Sequence, residues 1–248
     1  MKKQQNTPTA GEHERKEPTD VPKADLAAEE HKSEKLVDAW GMSEVIEKVQ
    51  SHTRGMLDEH LYRKSSVLVP LLLNEKGKLS VLFEKRAHKV KQPGDICFPG
   101  GRIEAGDNSA WETAVRETSE ELRIQREDVQ WIGDLDYLVH HDRSIIYPYV
   151  GLIHGQDKFE PNPDEVAEVF CIELEELLQA RVEHYQLTFR PEPDVNFPYH
   201  LIHNGVNYSW RMSASQTPFY RIGERVIWGM TARILKHFIE VVNKASMS

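Results

Sequence analysis

The amino-acid sequence predicts an α/β sandwich, a mixed β-sheet held between helices. Three observations carry that expectation. Short runs rich in Val, Ile, Leu and aromatic residues recur between turn residues, a capped amphipathic helix stands mid-chain, and a long apolar period closes it.

Taken in order, residues 1–36 are polar, mixed in charge and interrupted by Pro8, Pro18 and Pro22, so a disordered tail is expected there, followed by a single domain over 37–248. A helix is expected over about 43–52. Residues 67–73 and 79–84 read as strands around the turn Asn74-Glu75-Lys76-Gly77. Pro70, which has no N–H to donate, assigns the first of them to a sheet edge or a bulge. Ser109 and Glu112 have the spacing of a capping box, which starts a helix at Ala110. Trp111, Ala114, Val115, Thr118 and Leu122 form its buried stripe. Further strands are expected near 129–133, 135–139, 145–153 and 169–172, with a short helix over 173–179. Asn204-Gly205 predicts a hairpin between 199–203 and 206–211, and 227–242 reads as the closing helix. No internal repeat is evident.

Composition narrows the function classes. A formal charge of −9 over 248 residues argues against general affinity for nucleic acid, which needs a broad basic surface. No apolar run is long enough to span a membrane. Two cysteines, Cys97 and Cys171, and no secretory apolar region point to a reducing, cytoplasmic setting, and Ser246-Met247-Ser248 is not a peroxisomal address. Cys97 reads as a small core residue. His140 and His141 are adjacent, so on one strand they point to opposite faces, and neither receives a catalytic role.

The chemistry concentrates between Phe98 and Ile124. Glu117, Glu120 and Glu121 lie three and four residues apart on the expected helix and share a face, turned away from the core toward a cleft or solvent. Like charges at that spacing cost roughly a few tenths of a kcal/mol per pair, a cost that a cation reverses. Hard divalent ions take oxygen ligands, so the face reads as a metal site, with Glu117 and Glu121 as first ligands and Glu120 third. Arg116 stands four residues before Glu120, where it can fix that carboxylate. Ahead of the helix, Phe98-Pro99-Gly100-Gly101 forms a turn whose glycines let backbone approach a ligand closely. Lys85, Arg86, His88, Lys89 and Lys91 form a basic cluster directly before it.

These residues resemble the Nudix box, whose pattern is met by Arg116, Glu117, Glu120, Glu121 and Ile124. The chain departs from it in one extra residue between Gly101 and Arg116, in Thr118 for an apolar residue, and in Arg123 for the final glycine. Asp107 meets the first acidic position only if the extra residue follows it. The run from Phe83 to Gly101, with Arg86-Ala87, Lys91, Gly94 and Phe98 to Gly101 in place, resembles the coenzyme A diphosphatase branch, as does Val226 to Ile234 near the end.

The resemblance implies a Nudix-type α/β/α sandwich and metal-dependent hydrolysis of coenzyme A to 4′-phosphopantetheine and adenosine 3′,5′-bisphosphate. It implies Mg²⁺ or Mn²⁺ as cofactor, Glu117, Glu120, Glu121 and Arg116 as the catalytic set, and Arg86, Lys91, Gly100 and Gly101 against the substrate. The general base stays open between Glu165, Glu168 and a glutamate of the box. Two alternatives remain beside this reading: a Nudix activity on ADP-ribose or a nucleoside triphosphate, and a non-catalytic nucleotide-sensing module. The expected partner is a small molecule, with neither nucleic acid nor membrane, and oligomeric state is open, a homodimer among the options.

Overall fold

A computed structural model describes residues 41–155 and 159–245. The tail expected over 1–36 lies outside the described residues. The described residues divide into two units, 41–57 and 58–245. In the first, α1 (Met42–Ser51) is a helix in which Glu44 and Lys48 pair at 3.1 Å across one turn.

The second unit is built on a mixed sheet. Its strands are β1 (Arg63–Leu73), β2 (Leu79–Arg86), β3 (Ile96–Cys97), β4 (Gly100–Arg102), β5 (Val129–Asp134), β6 (Leu138–His140), β7 (Ser144–Ile153) and β8 (Val166–Glu173). The path runs β3-β2-β1-β7-β5, with β4 also on β1, β6 on β7 and β8 on β2. β1 and β7 are parallel, and the other pairs are antiparallel.

Pro70 is therefore in an interior strand, and the expected edge or bulge does not occur. On the side of β1 opposite β7, residues 65–67 pair with β4, Leu68 donates to the Pro99 carbonyl, and residues 71–73 pair with β2. Backbone groups alternate sides along a strand, so Pro70 faces the same way as Leu68, into the gap between those two partners. The missing N–H falls where no ladder bond is needed.

The period of two in β1 and β2 sorts the core into two layers. Leu68, Leu72 and Leu82 face α2 (Ala110–Leu122) and meet its Ala114, Val115 and Leu122. Val69, Val81 and Phe83 face the other way, against Leu177 of α3 (Leu174–Gln179) and, from the last helix (α4, Gly229–Ala245), Leu235 and Phe238. Leu68, Leu82, Leu122 and Leu235 are fully buried, each contributing about 1.5–3 kcal/mol. Helices thus cover both faces, and the expected α/β sandwich is the observed fold.

A second sheet was not legible in the chain. β9 (Val182–Phe189), β10 (Ser213–Ile222) and β11 (Arg225–Trp228) pair antiparallel in the order β11-β10-β9. β9 is exposed along most of its length and carries polar residues on both faces, so its alternation is weak. The hairpin expected around Asn204-Gly205 is absent. Asn204 and Gly205 do take positive φ, 67° and 51°, but their flanks form single 3₁₀ turns at Tyr199–Leu201 and Gly205–Asn207. Leu201 and Val206 remain exposed, so no sheet face is there to receive a strand.

Candidate active site

The site is organised by α2. Ser109 caps it by accepting from Glu112 N at 3.1 Å, so the helix starts at Ala110 as expected. The reciprocal half of the capping box is displaced by one residue, because the Glu112 carboxylate accepts from Asn108 N at 2.9 Å and from Asn108 Nδ2 at 2.7 Å. At the other end Arg123 takes the left-handed conformation, φ 54°, and closes the helix where the family pattern has glycine.

The three carboxylates do not share one exposure. Glu120 is exposed, the Glu117 side chain is 18% exposed, and Glu121 is 7% exposed within the buried stripe itself. The expectation that this face turns away from the core fails for Glu121, because the glycine turn folds over it. Gly100 N donates to Glu121 Oε2 at 2.8 Å. Burial pushes the Glu121 carboxyl up to about 8, against the opposing pull of that N–H, while Glu117 and Glu165 push it further. Burial also raises Glu117, with Arg116 opposing.

Both glycines of the turn are closely approached. Gly100 has φ 146°, and a Cβ there would overlap Ser66 O and the Cα of Val67. A Cβ on Gly101 would overlap the carboxylate of Glu117. One glycine lets the turn lie on β1, and the other leaves room for a functional side chain.

Arg116 has a different partner from the one expected. Its Nε and Nη2 bind Asp107 Oδ1 and Oδ2 at 2.9 and 3.0 Å, a two-pronged pair. Nη1 binds Glu117 at 2.9 Å, and Glu120 is reached only at 3.5 Å. Asp107 also accepts from Glu104 N and from the Thr113 hydroxyl. These donors, Arg116 first, hold its carboxyl well below the usual carboxylate range. Asp107 is therefore the anchor that aims Arg116 at Glu117, a role that its irregular spacing concealed.

A divalent cation is tested by the donors around Glu121. Glu84 on β2 is 1% exposed, and its Oε1 has no partner. Burial holds it well above the ordinary value, and Glu121 adds to that. Oxygen donors in excess of positive charge suit a hard cation, and Glu117 and Glu121 are the side chains that could hold one. Among the described residues no three acidic, His or Cys groups stand in a ready ligand arrangement, so sharing an ion requires side-chain rotation. No helix among them is long and apolar enough to cross a membrane.

A cavity of about 570 Å³ borders the glycine turn, walled by Phe98, Gly100 and Gly101 on one side and by Leu187, Phe189 and Trp228 of the second sheet on another. Arg86 lines it and donates Nε to the Lys91 carbonyl at 2.8 Å. Lys91 itself is outside the lining and meets Arg86 through its backbone carbonyl. The basic cluster is dispersed: Lys89 pairs with Asp164 at 2.5 Å, and Lys85 lines a separate depression with Glu168. His140 and His141 both line the cavity with ring centroids 3.9 Å apart, contrary to the opposite-face expectation, because β6 ends at His140 and His141 belongs to the turn. Cys97 is half-buried and lines the cavity, so it is not the core residue expected, and burial pushes its thiol up to about 12, which makes it unreactive.

The two open candidates for a base are also separated. Glu168 pairs with Arg225 at 2.7 Å. Glu165 raises both Glu117 and Glu121 by its charge, and its segment is tied to α2 through the bond from Asn162 N to the Glu121 carbonyl at 2.8 Å.

Comparison with known proteins gives this arrangement a family. The Nudix domain model matches residues 62–191. The uncharacterized Nudix hydrolase NudL of Pectobacterium atrosepticum is 34% identical over 176 residues, covering 71% of this chain and 81% of its own. The peroxisomal coenzyme A diphosphatase NUDT7 of Mus musculus is 36% identical over 149 residues, 58% of this chain and 63% of its own. Among solved structures, a MutT/nudix family protein from Enterococcus faecalis aligns over 91% of this chain and 76% of its own with TM-score 0.44 and 16% identity, too loose to add to the assignment. Nudix hydrolases generally require divalent cations. With the box carboxylates in place on α2 beneath a glycine turn, the chain belongs to the Nudix family and is a hydrolase of phosphorus-containing acid anhydrides.

Proposed function

We propose that this Nudix hydrolase cleaves the diphosphate bond of coenzyme A or a derivative, releasing 4′-phosphopantetheine and adenosine 3′,5′-bisphosphate. The observation that carries this reading is the cavity, which joins a cationic, glycine-walled end to an apolar wall from the second sheet. A diphosphate with a nucleoside on one side and a long, less polar arm on the other suits such a cavity. The diphosphatase named among the relatives supports the same substrate.

Glu117 and Glu121, with Glu120 beside them, would hold Mg²⁺ or Mn²⁺, which when bound screens the diphosphate and makes water more acidic. Asp107 holds Arg116, and Arg116 holds Glu117 in a fixed rotamer. Gly100 and Gly101 bring the backbone of the turn to the cavity wall where the substrate would lie, Gly100 by packing on β1 and Gly101 by leaving room for the Glu117 carboxylate. Arg86 supplies a fork suited to a phosphate oxygen pair, and Lys91 holds that fork by its carbonyl. Glu165 takes the proton from the attacking water, supported by its electrostatic reach to Glu117 and Glu121 and by Glu168 being engaged with Arg225. The setting is cytoplasmic, and the substrate is a small molecule.

Mass-resolved product analysis tests this, with coenzyme A, ADP-ribose and a nucleoside triphosphate side by side, with each metal and with chelator. Metal-dependent 4′-phosphopantetheine with the others much slower is the expected result. Faster cleavage of ADP-ribose or the triphosphate would keep the carboxylate assignment and overturn the substrate. Binding without any cleavage would make the protein a sensor.

A further inference from the structure

The cavity lining carries a further arginine that the diphosphate chemistry does not use. The charged lining residues are Arg86, Arg102, Arg233 and Asp95, a positive wall in a chain of net charge −9. Arg86 and Arg102 stand at the glycine-turn end, on β2 and β4. Arg233 comes from a different element, one turn into α4.

Arg233 is half-buried, yet among the described residues its guanidinium has no ion-pair or hydrogen-bond partner. The other sheltered arginines are paired. Arg116 is held by Asp107, and Arg225 by Glu168 with the Phe170 ring 3.4 Å below it. Burial lowers the pKa of Arg233, and no carboxylate opposes that. A guanidinium keeps its charge under such conditions, so the sheltered cation is left to be neutralised by something that enters the cavity. The same lining includes hydroxyls of Ser215 and Thr217 and the His141–Phe189 ring contact, centroids 4.0 Å apart, an aromatic surface of the kind a nucleobase stacks on.

We propose that Arg233 is a specificity-determining residue: its guanidinium binds a phosphomonoester on the substrate, separate from the diphosphate that is cleaved, and selects adenosine nucleotides bearing a 3′-phosphate over those without it. This inference rests on the coenzyme A reading and deepens it. A planar, two-pronged donor matches a phosphate dianion, and withdrawal from water strengthens the pair. The subsite discriminates among the substrates that the metal carboxylates alone treat alike.

The experiment compares coenzyme A with 3′-dephospho-coenzyme A as substrates for the full chain and for Arg233→Met and Arg233→Lys. The wild type is expected to favour coenzyme A in kcat/KM by about tenfold or more, the scale of one charge-assisted contact. Arg233→Met should raise KM for coenzyme A alone and bring the ratio to within about twofold, and Arg233→Lys should restore part of it. A wild type that does not discriminate, or a ratio unchanged in Arg233→Met, overturns the proposal. If neither compound is cleaved, the coenzyme A reading has failed, and calorimetry with adenosine 3′,5′-bisphosphate against AMP decides the subsite separately. A preference of about tenfold for the bisphosphate that Arg233→Met abolishes upholds it, and equal binding of the two sinks it.

Discussion

The two ends of α2 handle charge in opposite ways. Toward its start, Asp107 and Arg116 compensate each other through two short hydrogen bonds, with Thr113 and Glu104 N completing the carboxylate's partners. Toward its end, Glu121 is buried with one backbone N–H and a second buried carboxyl in Glu84 nearby, and among the described residues it has no ion pair, only the more distant charge of Arg86 drawing it down. The first pair is a support that the chain supplies for itself. The second is an excess of negative charge, which a bound cation would offset. Paired charges push a carboxyl down, and unpaired burial pushes it up, so the opposite shifts of Asp107, just before α2, and Glu121, near its end, separate scaffold from chemistry.

The largest effect that would break this contrast is at Glu121. Glu121→Gln keeps an oxygen for the Gly100 N–H and removes the charge, so turnover should fall by about 10³-fold while the melting temperature holds or rises. Near wild-type turnover with an unchanged melting temperature would show that the carboxylate is not part of the chemistry.

Asp107→Asn attacks the supporting end. An amide cannot match the guanidinium at both prongs, and Arg116 would no longer be aimed at Glu117. Activity should drop by about 10- to 100-fold, the usual scale for a residue that orients a ligand from behind. Asp107 should also stabilise the fold fully above the ordinary carboxylate pKa, with that contribution lost as pH falls through its lowered value. An unchanged rate in Asp107→Asn would make Asp107 a purely structural residue.

Glu121 has the reverse sign, which sharpens the comparison. Its folded value is about 8 against 4.5 for the ordinary group, so its contribution is fully present at low pH and is lost as pH rises through about 8. Cation-free wild type should therefore lose melting temperature between pH 5 and 8 faster than Glu121→Gln, by thermal scans in chelator. Equal slopes for the two proteins would contradict the assignment of an excess of negative charge.

The smallest effect is at the helix terminus. Arg123→Gly relieves a left-handed residue that bears a side chain, and should stabilise the fold by about 1 kcal/mol in denaturant titration with activity unchanged. A destabilised variant would show that the Arg123 side chain, and not its backbone, holds the helix end.

Much of the site was legible because its signals are local. Ser109 at the cap, the apolar period and the spacing of Glu117, Glu120 and Glu121 place the helix and its carboxylates without reference to any other element. The glycine turn was legible for the same reason. Asp107 was obscured by the extra residue before Arg116, since spacing in a loop does not specify which carboxylate a guanidinium will reach. His140, His141 and Phe189 converge on one cavity from two separate sheets, and no pattern in the neighbouring sequence signals that. β9 escaped because it is exposed along most of its length and so has no clear alternation, and β10 escaped because only its middle, at Thr217, Pro218 and Tyr220, is buried.

Residue order alone therefore determines the sandwich, the helix with its acidic residues, and the family they belong to, because capping, periodicity and turn chemistry act over a few neighbouring residues. Tertiary structure alone decides that Glu121 is buried, that Arg116 answers to Asp107, that Pro70 can stand in an interior strand, and that Arg233 lines a cavity with no ion pair among the described residues. Each of those depends on desolvation and on charges brought together from distant parts of the chain, and neither is defined until the layers have closed.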